Sequence, residues 1–470
     1  MFGSSLNIIA QAIEVYKKAI DVRNRNIANA QEENYVAEEP IIQSDLYSGI
    51  TLQEVRRLQN FNFISLRNEK LSYVNYLEER RSILENVESV FQEFSQGAGL
   101  SDYVDKFFEA YQDLMKEPTN EGAKEQLISS AESLVNTIKS RYADLNRIKQ
   151  SIDYSLERYV DKVNDLIKKI YSLNKEITFQ YAQTQGKEYK TLLDQRDEYL
   201  KELASYINIR AQEDELGRVK VYTSKGFLLV DFTDNYFTLD YKGGKVIYKR
   251  DGSDLTNIVE SGKIKGLLEA SRDIDSSIDD LRSLIDTFAR KNGENYVEVD
   301  ANGNPIINFI AIEVRNGTTI TLKEIFNVNL DAQGKIDISS LKLNITETDL
   351  DNLSYETIQD SNAINPSNPN YAVLQVFDSF PKAGLYVWEN TEKAVNDLVN
   401  RIAVTKNGLD SEYDVEKSLY DSLERKILER QGVSIDQEFM EIINIQRTYE
   451  ALAKILPRID ELMQTTLNMI

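Results

Sequence analysis

Neither cysteine nor histidine occurs anywhere in the 470 residues. Their absence excludes Ser–His–Asp triads, Cys–His dyads, histidine-bearing zinc sites and thiol redox chemistry. Only carboxylate pairs, lysine bases and oxygen-ligand metals remain open as catalytic chemistry. Zero cysteine suits a reducing compartment, and equally an exported protein that avoids stray disulfides. Positive charge is the next scarcity: 55 Lys and Arg stand against 77 Asp and Glu, a net charge of −22. No basic stripe interrupts that acidity, so no nucleic-acid partner is expected, because phosphate binding needs a positive field. No run of eighteen apolar residues exists, which predicts no membrane insertion. The opening MFGSSLNIIAQAIEVYKK lacks a basic n-region and a small-residue cleavage site. The chain is therefore expected either to stay inside or to leave by a route that cleaves no leader.

Proline is sparse, at 7 residues, and between Asn120 and Tyr181 there is none, with Gly122 the only glycine. That stretch is predicted as one helix of roughly sixty residues, about 90 Å long at 1.5 Å per residue. Its apolar seam reads Leu145, Ile148, Ile152, Tyr159, Val163, Leu166, Ile170, Leu173 and Ile177, with Ser155 in one slot. The four-then-four step from Ser155 to Tyr159 to Val163 relaxes a left-handed supercoil locally.

What organises the chain is its last stretch, Gly432 to Ile470. Ser434 is a candidate N-cap and Gln437 its capping-box partner. Apolar residues then fall at Ile442, Ile445, Tyr449, Leu452, Leu456, Ile459, Met463 and Ile470, three and four apart, with Thr466 in the one polar slot. This is a coiled-coil seam, and a seam needs a partner. Leu6, Ile9, Ile13, Tyr16, Ile20 and Ile27 repeat the spacing near the start, interrupted by Arg23. Pro457 predicts a kink between Ala453 and Leu456, because proline removes a donor and clashes with the preceding turn.

Between the ends, helices are expected from about Phe61, around Val104 to Leu114 with Ser101 as cap, through LLDQRDEYLKELASYI, from Ile264 to Arg290, and from about Trp388. Residues 208–250 and 296–380 are rich in β-branched and aromatic residues. Turns are expected at Lys225-Gly226, Gly243-Gly244, Asn302-Gly303, Asn316-Gly317 and Gln333-Gly334. The fold class expected is mainly α with β-rich insertions, an elongated multi-domain rod with paired terminal coiled-coil helices. Residues 1–60 with 432–470 form the terminal segments. Residues 61–295 with 385–431 form a helical rod carrying hairpins around 210–250, and 296–384 a β-rich outer insertion.

Candidate chemistry is thin. Asp300-Ala301-Asn302-Gly303-Asn304-Pro305 begins like a calcium loop, but loop positions six and twelve hold Pro305 and Ala311 where glycine and glutamate are needed. A hairpin turn is the reading favoured there. Gly262 to Gly266 carries lysines where a membrane dimer motif is apolar, and is read as a helix start. Asp194, Arg196, Asp197 and Glu198 could be taken for a carboxylate pair, and are read instead as helix-surface ion pairs. No catalytic, cofactor or metal residue is assigned.

The end of the chain resembles the C-terminal segment of bacterial flagellar rod, hook and hook-associated proteins. The matching residues are Gly432, Val433, Ser434, Asp436, Glu438, Gln446, Tyr449, Ala451, Ala453, Lys454, Asp460, Glu461 and Met463. Asn24, Asn26, Ile27, Ala28, Asn29 and Ala30 resemble in part the motif Asn-x-x-Asn-Ile-Ala-Asn-Ala at the start of the same proteins. After Ala30 the family turn Thr-Pro-Gly-Tyr is replaced by Gln31-Glu32-Glu33-Asn34-Tyr35. LLDQRDEYLKELA (192–204), with Gly266-Leu267-Leu268-Glu269, is similar to the hook-associated proteins of the first junction type, the FlgK family.

The resemblance implies a structural protein at the hook–filament junction, outside the cell, exported unfolded and ordered at its termini on assembly. Its implied partners are further copies of itself, the hook protein, the second junction protein and an export chaperone. The chaperone would contact Ile442, Ile445, Tyr449, Leu452 and Leu456. The assembly interface would comprise these with Ile459, Met463, Leu6, Ile9, Ile13, Tyr16, Ile20 and Ile27. Three alternatives stay open: another axial protein with the same ends, a non-flagellar coiled-coil scaffold, and a carboxylate hydrolase within 300–380.

Overall fold

A computed structural model of the chain describes residues 2–32, 35–45, 49–59, 61–91, 97, 99–184, 189–292, 298–299, 305–306, 309–316, 319–353 and 380–468. The chain is mainly helical, with small sheets inserted between helices, and it divides into two compact units. The first comprises Met1–Tyr76, Glu157–Lys265 and Asp414–Ile470, the second Leu77–Leu156 and Gly266–Tyr413. The boundaries between the units fall inside helices, where composition gives no signal of a linker.

The helices are α1 (Phe2–Ala28), α2 (Phe61–Phe91), α3 (Leu100–Lys116), α4 (Glu121–Thr184), α5 (Lys190–Tyr206), α6 (Lys263–Phe288), the short α7 (Glu347–Asp351), α8 (Phe380–Gln431) and α9 (Ile435–Asn468). The proline-free stretch is one helix of 64 residues, as its composition predicts. Its buried face differs slightly from the seam read from sequence. Leu156 and Val160 are buried where Ser155 and Tyr159 were expected, and both of those are only half-buried. The 4-4 step is kept but falls three residues earlier, at Ile152, Leu156 and Val160, because two aliphatic side chains fill the interior better than a hydroxyl and a phenol. Ser101 is not the cap of α3; Gly99 is, its N–H donating to Asp102 Oδ2 at 2.9 Å. α9 runs unbroken through Pro457.

In the first unit β1 (Glu38–Asp45) pairs antiparallel with β2 (Gly49–Arg57), with an irregularity at Ile41/Ile42. β3 (Ile209–Glu213), β4 (Val219–Thr223) and β5 (Leu228–Val230) form a three-stranded sheet. β6 (Leu239–Lys242) and β7 (Lys245–Tyr248) form a hairpin. Gly226, Gly243 and Gly244 have positive φ at the expected turns. Two buried asparagines of α4 fasten these strands to the helix. Asn174 donates to Val219 O (2.8 Å) and accepts from Val219 N (3.0 Å). Asn164 does the same to Leu239, at 2.9 and 2.8 Å. Each amide thus pairs with a strand as a neighbouring peptide would. Gly262, ahead of α6, donates its N–H to Ser72 O at 2.9 Å.

In the second unit the strands are β8 (Arg290–Lys291), β9 (Glu298–Val299), β10 (Pro305–Ile306), β11 (Ala311–Asn316), β12 (Thr319–Glu324), β13 (Phe326–Leu330) and β14 (Ile336–Leu343). β13 lies between β14 and β8, antiparallel to the first and parallel to the second. Phe107, Phe108, Phe288 and Phe326 meet edge to face in its core, and Trp388 stacks on Phe108. Gly334 makes the expected turn between β13 and β14. The calcium-like loop, the glycine of the Asn316-Gly317 turn and the Pro/Asn/Ser loop at 365–370 lie outside the described residues. Among the described residues no acidic group is placed to hold a metal ion, and no helix is long and apolar enough to cross a membrane.

Candidate functional site

The two chain ends pack on one another. The last turns of α1 meet the first turns of α9, so the helices run antiparallel. On α9 the predicted seam is the inner face: Ile442 and Ile445 are buried, and Tyr449, Leu452, Leu456 and Ile459 continue it half-buried. The side chain of Met463 lies outside the described residues. On α1 the expectation needs correcting. Leu6, Ile9, Ile13, Tyr16, Ile20 and Ile27 are all only half-buried. The buried face is Ala12, Val15, Ala19, Val22 and Asn26, also spaced three and four apart and displaced by one residue from the predicted seam. Small side chains on one helix admit the larger ones of its partner, so the Ala/Val stripe takes the interior. The larger aliphatics of α1 therefore sit at the flanks of the pair, where they stay half open. The Ala12-Val15-Ala19-Val22 periodicity was readable; the greater bulk of the neighbouring stripe concealed it.

Asn26 is fully buried at the mouth of the pair and uses its whole amide. Nδ2 donates to Glu38 O and to Glu438 Oε1, both at 2.8 Å. Oδ1 accepts from Glu38 N at 3.0 Å and from Tyr35 Oη at 2.9 Å. Arg23 Nη1 reaches both oxygens of Glu438, at 3.2 and 3.3 Å. Glu438 lies in the first turn of α9, where the helix dipole favours a negative charge. One residue from each terminal motif thus meets the other in a buried clasp. Tyr35 keeps its place in it although the turn before it differs from the family pattern. Burial, and then the nearby Glu38 charge, push the Tyr35 hydroxyl pKa up, so it stays a donor. At the head of α9, Gln437 N contacts Ser434 Oγ at a long 3.5 Å, a weak version of the expected cap.

A second buried network anchors the β1–β2 hairpin. The Glu38 carboxylate takes Arg25 at 2.9 Å and Lys190 at 3.3 Å, and Lys190 also donates to Val55 O. Arg57 is shared between Asp194 and Asp197, the latter at 3.3 Å, and Gln59 donates to Asp197 at 2.6 Å. Arg196 is completely buried; it binds Asp197 at 2.6 Å, Glu213 at 2.6 Å and the Gly217 carbonyl. Arg196 and Asp197 were expected as a surface ion pair. They lie inside because the i,i+3 pair Asp194 and Asp197 faces Arg57 on the hairpin, which sequence spacing does not show. These paired charges fasten α5 to the β1–β2 hairpin and to the β3–β4 turn.

The outer side of α9 is apolar as well. Ile435, Phe439, Met440 and Ile443 are exposed, Phe439 by 51% and Met440 by 59%. Spacings of three and four from 435 to 443 were the available signal, unused in the sequence reading.

A buried seam thus joins the two ends of a mainly helical chain, with a large body inserted between them. Residues 424–469 match the family model described as flagellar basal body rod FlgEFG protein C-terminal, and residues 84–309 that of the FlgK helical domain. Flagellar hook-associated protein 1 of Escherichia coli K12 is 23% identical over 449 residues, covering 79% of this chain and 81% of that protein. The same protein of Bacillus subtilis is 20% identical over 245 residues, 49% of this chain and 48% of its own length. The flagellar hook junction protein FlgK from Burkholderia pseudomallei has a solved structure that is 20% identical, with a TM-score of 0.43, covering 53% of this chain and 47% of that one. Together these matches support a FlgK-family junction protein.

Proposed function

We propose that this chain is a structural subunit of the bacterial flagellum, forming the first zone of the junction between hook and filament. The observation that carries this reading is the terminal helix pair: its interior is filled, yet Ile13, Tyr16 and Ile20 on α1 and Phe439, Met440 and Ile443 on α9 remain open. Apolar side chains left half or fully open on both helices call for neighbours. Segments 1–60 and 432–470 act as assembly segments, and 61–295, 385–431 and 296–384 as the body they carry. The partners are further copies of the chain in a ring, the hook protein on one side and the second junction protein on the other. Before assembly an export chaperone covers α9 along Ile442, Ile445, Tyr449, Leu452 and Leu456. The protein leaves the cell unfolded, works outside it, and orders its termini fully when neighbours supply the missing apolar faces. It is not an enzyme, and the paired state of its buried charges supports that.

Localisation tests this directly. A tag inserted in the β-rich part of the chain, imaged by immunogold electron microscopy on intact cells, should mark a single band where hook meets filament. Label spread through the cytoplasm or over the cell body would sink the reading. Label on the rod or along the hook would move the chain to another axial role.

A further inference from the structure

Although the chain carries a net charge of −22, one cavity of about 380 Å³ in the first unit is lined by three arginines and by no carboxylate. It lies between the end of β2, the start of α2 and the end of α8. Arg57 is neutralised by Asp194 and Asp197, which leaves Arg56 and Arg430 as the charges available at the cavity. Arg56 holds only an exposed pair with Glu39, of the kind that exchanges partners readily. Arg430 has no acidic partner among the ion pairs of the described residues; its guanidinium lies 5.1 Å from the centre of the Phe63 ring, a face that fixes its orientation. Phe63 and Ile427 supply apolar wall. Such a site takes a carboxylate carried on an apolar surface, held by the guanidinium fork.

The same chain exposes a surface of that description. On α9, Asp436 shares a face with Phe439, Met440 and Ile443, all exposed. This face looks away from α1. Glu438, two residues on and about 200° round the helix, is held against α1 by Asn26 and Arg23. We propose that the arginine-lined cavity of one subunit receives the first turns of α9 from a second copy, with that copy's Asp436 on Arg430 and Arg56. The two patches are different, so the contact is head-to-tail, and repeated contacts of this kind close a ring or build a helix. The proposal rests on the self-assembly reading above and names the surfaces it would use.

Sedimentation velocity of the full chain over a range of concentrations tests it. The wild type should associate. Arg430→Glu and Asp436→Lys, each with wild-type circular dichroism, should each raise the concentration for half-association at least tenfold. An equimolar mixture of the two should return it to within about threefold of wild type, because each acidic cavity then meets a lysine-bearing helix. Arg56→Glu serves in place of Arg430→Glu if the latter does not fold. Variants that associate like wild type, or a mixture that does not recover, overturn this contact while leaving self-assembly standing. Unchanged self-association with lost binding to a different axial protein overturns the second-copy assignment. A wild-type chain that stays monomeric at every concentration defeats both readings.

Discussion

Asp194 and Asp197 share Arg57 from one face of α5, yet their environments push them in opposite directions. Burial raises the pKa of Asp194 to about 6, against the opposing charge of Arg57. For Asp197 burial acts the same way, but the Arg196 and Arg57 charges outweigh it and hold the carboxyl below its usual range. Asp194 therefore binds its proton more tightly in the folded chain than in the unfolded one. The stability this contributes is fully present below the usual aspartate pKa near 4 and is lost as pH rises through 6. Asp194→Asn should gain on wild type by about 2 kcal/mol between pH 4.5 and pH 7.5, read from urea midpoints at each pH. A constant difference would mean that Asp194 does not titrate in that window. Asp197→Asn behaves otherwise, since it strips the completely buried Arg196 of its main partner. A loss of about 3–5 kcal/mol is expected at neutral pH in the same measurement.

At the scale of the helix, the one-residue displacement on α1 separates folding from assembly. Ala19 is fully buried in the seam, so Ala19→Leu should cost about 1–3 kcal/mol by overpacking. Ile13 is half open, so Ile13→Ala should cost under about 1.5 kcal/mol in the single chain, while weakening self-association in the ultracentrifuge. If Ile13→Ala is the more destabilising of the two, the face originally read from sequence is the seam after all. Gly262 offers a test of an element junction. Its φ is +92°, and a Cβ there would sit 2.5 Å from the backbone carbonyl of Tyr206 at the end of α5. Gly262→Ala should therefore lose more than about 2 kcal/mol, because backbone on both sides resists the shift and φ > 0 adds strain.

For the whole molecule, the terminal segments belong to the first compact unit, together with the β3–β7 strands and the hairpin. A chain lacking 432–470 should leave the Ala12, Val15, Ala19 and Val22 face of α1 uncovered. Amide exchange in α1 should then approach that of an unfolded segment, while α3, α6 and β13 in the second unit keep their protection. Exchange raised equally in both units would show that α9 supports the whole chain.

Much of this was legible from residue order alone. The proline-free run specified α4, the three-four spacing specified α9 and its inner face, and the glycine turns at 226, 243–244 and 334 specified the hairpins, since each depends on periodicity or on one backbone angle. The motifs at the two ends were visible as well, and with them the family resemblance. Three things waited for the tertiary structure: which stripe of α1 lies inside, that Arg196 is buried, and that Asn26 and Glu438 are partners. Each depends on which side chains from distant segments compete for one space. The smaller stripe won on α1 because α9 brings the bulk, and 412 positions separate the two halves of the clasp.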